Sequence, residues 1–230
     1  ANQSSHSELI DALQSLGYSL SDIRPLLNQV GEGETGDKLK IALKLLAKLD
    51  ESEAVIRIVL TGGEAIHGIG FNPRRPTFFI IAEKIFKIAP RNYKLGAKLI
   101  TFEYRRESPR VKHLNYREAA RLQKIKKKAG AIEILYVSSG FVYEGATSNF
   151  FIFRGNRLIT PKDGALMGGT RGLVLKLARG KFKIEERPVK FFELKSADEA
   201  FITLTTKEII PVTKINNFKM YKIKNELTFL

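Results

Sequence analysis

Apolar positions along this chain change their spacing part-way, and the change divides it. Leu9, Ile10, Leu13 and Leu16 recur at three- and four-residue steps, as do Ile23, Leu26, Leu27 and Val30. Such steps line one face of a helix, so helices are predicted over residues 7–16 and 22–30, the second capped by Ser21-Asp22. After a glycine-bearing loop at 31–36, Leu39, Ala42, Leu43, Leu45, Leu46 and Leu49 predict a third helix over 38–49. From there the apolar runs shorten. Residues 55–60, 77–83 and 97–104 are rich in Val, Ile, Phe and Thr and read as strands, with a glycine-broken stretch at 61–70. Residues 1–104 therefore read as a small α/β domain and 105–111 as a linker. Residues 112–230 read as a larger, β-rich domain. Within it, Tyr116, Ala119, Ala120 and Leu122 give a core face to a helix over 115–128. Leu173, Val174 and Leu177 do the same for 170–178. Strands are predicted at 132–137, 141–143, 149–153, 158–160, 184–188, 200–204 and 209–215. Gly155-Asn156 and Asn216-Asn217 are turns. The fold class is mixed α/β and α+β, in two domains.

Composition narrows the setting. The chain has 230 residues, 43% of them apolar, which is enough to bury a sizeable core. It has no cysteine, so neither a disulfide framework nor a thiolate metal site is available, and no metal site is expected. No apolar run approaches the roughly 20 residues that span a bilayer, and the start, Ala1 to His6, lacks a charged-then-apolar signal design. The expected location is the cytoplasm, with no membrane partner. The net charge of +15 admits a polyanion partner. The one dense run, Lys124 to Lys128, closes a predicted helix, where cations complement the dipole. Nucleic acid is therefore not the expected partner.

Four short stretches carry the chemistry. Lys112 stands in Lys112-His113-Leu114-Asn115-Tyr116, and Glu144 in Glu144-Gly145-Ala146-Thr147-Ser148-Asn149-Phe150-Phe151. Downstream come Gly168-Gly169-Thr170-Arg171 and Thr205-Thr206-Lys207-Glu208. A lysine amine can condense with an aldehyde and then carry a proton, provided burial or nearby positive charge keeps it neutral. A carboxylate can hold a pyridine nitrogen protonated. Glycines before a helix N-terminus let a phosphate approach free N–H groups, and a threonine turn can serve as a second phosphate cup. An amine, a carboxylate and two phosphate cups point to pyridoxal 5'-phosphate (PLP).

The order and wording of these stretches resemble the class IV aminotransferases, or PLP fold type IV. That family includes branched-chain aminotransferases, D-amino acid aminotransferases and aminodeoxychorismate lyases. The resemblance implies Lys112 as the catalytic lysine and Glu144 at the cofactor nitrogen. It implies Gly169, Thr170, Thr205 and Thr206 on the phosphate, Tyr116 on the phenolic oxygen, and Ser148 and Asn149 around the cofactor. Residues 68–73 resemble a Gly-x-Gly-x-Asn-Pro stretch of branched-chain enzymes, which brings Arg57 toward a substrate pocket, and His67 is the nearest candidate for the side chains that hold the substrate carboxylate in D-amino acid enzymes. The implied activity is amino transfer between a branched-chain-like amino acid and a 2-oxo acid, in a homodimer. Aminodeoxychorismate lyase chemistry, favoured by the Lys-His-Leu-Asn run, is the alternative. A third reading is an inactive, shortened homologue that binds a polyanion. The family's His-x-x-Arg-Leu pattern meets His6 but has Leu9 in place of the arginine and Ile10 after it. The strands that usually precede the first helix are expected to be missing.

Overall fold

The computed structural model describes residues 53–72 and 74–220. The three helices predicted over 7–49, and the His6-Leu9-Ile10 pattern, lie outside the described residues. The chain divides into two compact units, residues 1–86 and 87–230.

In the first unit, β1 (Ala54–Thr61) and β4 (Thr77–Lys84) form an antiparallel pair in unbroken register from Ala54↔Lys84 to Thr61↔Thr77. Between them, β2 (Ala65–Ile66) and β3 (Gly70–Phe71) make a small hairpin over the stretch expected to be broken by glycines.

The second unit is built on one ten-stranded mixed sheet. Its strands are β5 (Ala97–Glu103), β6 (Glu133–Ser138), β7 (Phe141–Gly145), β8 (Asn149–Arg154), β9 (Arg157–Thr160), β10 (Lys183–Glu186), β11 (Val189–Lys190), β12 (Glu199–Leu204), β13 (Glu208–Ile215) and β14 (Phe218–Lys219). The order is β10-β9-β8-β12-β13-β5-β6-β7-β11, with β14 beside β13. The boundary expected at residue 104 therefore moves to residue 86. β5 reads like the strands before it, yet it pairs in parallel with β6 and β13, deep in the second unit's sheet. Nor are residues 105–111 a linker between units, since they lie inside the second.

At β8 and β12 both faces of this sheet are buried, which is why these strands read as apolar runs rather than alternations. Phe150 and Ile152 of β8 and Ala200 and Ile202 of β12 join the largest core cluster, with Leu99, Leu135 and Ile210. Their neighbours Phe151, Phe153 and Phe201 point the other way and pack with Val174, Leu175 and Ala178. Those three belong to a helix, Gly169–Ala178. A third cluster joins Ile134, Tyr136 and Ala146 to Ala119 and Leu122.

We number the described helices α1 (Pro90–Leu95), α2 (Arg117–Arg121), α3 (Gln123–Lys128) and α4 (Gly169–Ala178). The helix expected over 115–128 is thus two short segments meeting at the buried Leu122, and it starts later because tight turns precede it: the His113 amide donates to Val111 and that of Tyr116 to Leu114. Among the described residues, no helix is long and apolar enough to cross a membrane.

Candidate active site

The sheet topology gathers several of the motif segments at one end. β7 ends there and β8 begins there. β12 ends beside β8, with Thr203 opposite Asn149, and β13 starts after the Thr205-Thr206-Lys207 turn. The loop that leads into α4 is tied to the same end. The Asn149 amide nitrogen, Nδ2, donates to the Leu166 carbonyl at 2.6 Å, and the Leu166 N–H donates to Glu144 Oε2 at 2.8 Å. A Cβ at Gly168 would crowd Asn149 Oδ1, so a larger residue there would push against the Asn149 side chain.

Glu144 is the centre of this arrangement. It is 2% exposed, and Arg106, itself buried, donates from Nη1 to Glu144 Oε1 at 3.0 Å. Burial raises the Glu144 pKa, while the Leu166 amide and the Arg106 guanidinium pull it down and Glu133 pushes it up. The pKa of Tyr136 is pushed up to about 12, chiefly by burial and then by Glu133, so this side chain stays a neutral phenol.

The other expected residues fall as follows. Lys112 is exposed, in the irregular segment between β5 and α2. That segment borders an open cleft of about 380 Å³, with Arg105 and residues 108–111 on one side and Asp163 and Gly164 on the other. Ser148 and Asn149 are buried. Ser148 Oγ donates to Glu133 Oε2 at 3.3 Å, so both side chains brace the loop. Gly169 and Thr170 form the first turn of α4, whose Gly168 N-cap makes no side-chain capping bond. Thr205 and Thr206 form an exposed turn. Glu208 then takes a left-handed φ of 54°, strain of the kind found beside functional loops. Tyr116 is half-buried against the third core cluster. Arg57 and His67 belong to the first unit. Arg57 pairs across the strands with Glu83 at 2.6 Å, both exposed, and His67 sits in the β2–β3 turn at φ 50°. Among the described residues there is no cluster of His, Cys, Asp and Glu fit for a metal.

Sequence reasoning missed two residues. Arg106 lay hidden in a polar stretch, and nothing in its neighbours marks it as buried. Glu133 had a signal, a lone charge inside the apolar run from Ala131 to Tyr136. It accepts from the Thr147 N–H and Oγ1 as well as from Ser148, and so fixes the loop after Glu144.

Residues 35–215 match the family described as amino-transferase class IV. The chain belongs to the class IV aminotransferases. It is 33% identical over 222 residues to a Methanocaldococcus jannaschii protein assigned as a branched-chain-amino-acid aminotransferase, covering 91% of this chain and 73% of that one. The solved 4-amino-4-deoxychorismate lyase of Pseudomonas aeruginosa superposes with a TM-score of 0.71 at 24% identity, over 84% of this chain and 74% of that one. A solved Thermotoga maritima protein assigned as a branched-chain amino acid aminotransferase gives a TM-score of 0.62 at 26% identity, over 82% of this chain and 67% of that one. This class IV chain therefore shares both family and fold with aminotransferases, and its fold with a lyase.

Proposed function

We propose that this class IV chain is a PLP-dependent aminotransferase that moves an amino group between a branched-chain-like amino acid and a 2-oxo acid. The observation that carries the reading is the buried Glu144 carboxylate, held on both oxygens at the sheet end where the glycine-led α4 also begins. These residues fit the cofactor. The carboxylate suits a pyridine nitrogen, and the uncapped N-terminus of α4 suits a phosphate. When bound, PLP would supply an electron sink for charge developing at the substrate α-carbon. Lys112 would hold the cofactor and then carry the α-proton. Glu144 would keep the ring nitrogen protonated. Gly169, Thr170, Thr205 and Thr206 would hold the phosphate, Tyr116 the phenolic oxygen, and Ser148 and Asn149 would shape the wall. Arg57 and His67 are the proposed substrate contacts, and a homodimer is the proposed assembly.

The Lys112-His113-Leu114-Asn115 run favours a second reading, release of pyruvate from aminodeoxychorismate, on a fold shared with the Pseudomonas aeruginosa lyase. One experiment tests the core of both readings. The protein is incubated with PLP and reduced with borohydride, and the modified lysine is mapped by mass spectrometry. Label on Lys112 is expected, and label elsewhere or none overturns the assignment. Assays for amino transfer to 2-oxoglutarate and for pyruvate release then separate the two readings.

A further inference from the structure

Residues 105–115 form an irregular segment whose side chains are exposed or half-buried, with one exception, Arg106, at 7% exposure. Its Nη1 reaches Glu144 at 3.0 Å, and its Nη2 is buried with no hydrogen-bond partner. The arginines on either side of it are held more weakly. Arg110 meets Asp163 at 3.6 Å with both side chains more than 60% exposed, and Arg105 lies 5.3 Å from the Tyr143 ring. Exposed pairs of this kind contribute little. A buried guanidinium–carboxylate pair differs, because losing either partner strands a charge away from water.

Lys112 lies six residues after Arg106 in this segment. We infer that Arg106 is a positioning residue: through its ion pair with Glu144 it fastens the Lys112-bearing segment to β7 and sets the amine against the carboxylate. Glu144 thereby has two tasks, one toward a cofactor and one toward the chain. The anchoring stands on the Arg106–Glu144 geometry, whereas its consequence for the cofactor rests on the proposed function.

The test is hydrogen exchange followed by mass spectrometry on the full chain without cofactor, comparing wild type, Arg106→Met, Arg106→Lys and the double variant Arg106→Met/Glu144→Gln. In Arg106→Met, the amides of residues 107–116 should exchange about tenfold faster or more, while those of β8 and β12 keep their protection. Arg106→Lys, which retains the charge and a donor, should restore part of the protection. In the double variant no charge is stranded, so overall stability should recover while residues 107–116 remain fast. If Arg106→Met loses protection throughout, the lysine and double variants carry the same comparison. Unchanged exchange over 107–116 in a folded double variant overturns the inference. PLP titration of the same proteins, followed by absorbance, should show at least about tenfold weaker binding for Arg106→Met than for wild type. If wild type takes up no PLP but the exchange contrast is present, the proposed function fails and the anchor stands. If all variants bind PLP alike and exchange alike, the anchor fails and the function stands.

Discussion

At the scale of single residues, Glu144 shows how motif and environment combine. The stretch from Glu144 to Phe151 named it in the sequence, because a carboxylate before Gly-Ala-Thr-Ser-Asn is a specific wording. Its surroundings were not legible, because Arg106 reaches it from a polar stretch 38 positions earlier, and Leu166 contributes only a backbone N–H. The environment has a measurable consequence. Burial leaves the folded Glu144 pKa above its ordinary value. The fold then takes up a proton more readily than the unfolded chain, so this contribution is present at low pH and is lost as pH rises through the raised value. Glu144→Gln should remove that dependence and, by stranding the Arg106 cation, should lower stability by about 3–5 kcal/mol. Urea denaturation of the cofactor-free protein from about pH 4 to about pH 8 reads both effects. An unshifted midpoint with an unchanged slope would show that the pair carries no energy.

At the scale of elements, the longer strands were legible, and the two-residue strands β2, β3, β11 and β14 and the short connections were not. β8 and β12 are buried on both faces, so Phe150 to Phe153 and Ala200 to Ile202 appear as unbroken apolar runs. Phe151 stacks on Phe201 with centroids 4.8 Å apart and an interplanar angle of 2°. Phe151→Ala should therefore cost about 3–5 kcal/mol in a urea titration, through lost burial and a cavity between β8 and α4. α1, at six residues, and the 3₁₀ helix Phe191–Ser196 are too short for a period to emerge from sequence. The 3₁₀ helix is held by Glu193, which accepts from the Lys190 N–H at 2.8 Å and from both terminal nitrogens of Arg187. The Arg187 hydrogen bonds lower the Glu193 pKa. Here the sign is opposite to that of Glu144: the stabilisation is full above the ordinary carboxylate range and is lost as pH falls through the lowered value. Glu193→Gln should remove about 1–2 kcal/mol at neutral pH, since Arg187 is partly exposed, and nothing at a pH below both values. A thermal-melt series in acid checks it, and an equal loss at every pH would contradict the assignment.

At the scale of the whole molecule, the division at residue 86 separates what the cofactor is proposed to need from what the substrate is proposed to need. Lys112, Glu144, Gly169, Thr170, Thr205 and Thr206 all belong to the second unit, as do Arg106 and Glu133, while Arg57 and His67 belong to the first. The second unit also has its own core, in three clusters drawn from its sheet and helices. A domain with its own core can fold alone. A chain beginning at Lys87 should therefore unfold cooperatively in urea, with a strand-rich circular dichroism spectrum. It should also take up PLP at Lys112, by the same reduction and mapping as the full chain, yet fail to transfer an amino group. If the fragment folds and takes up no PLP while the full chain does, the first unit supplies part of the cofactor site, and the proposed ligands of the second unit are insufficient. If the fragment transfers amino groups as fast as the full chain, Arg57 and His67 have no part in substrate recognition, and the substrate pocket must be sought among the loops at the end of the sheet that holds Glu144.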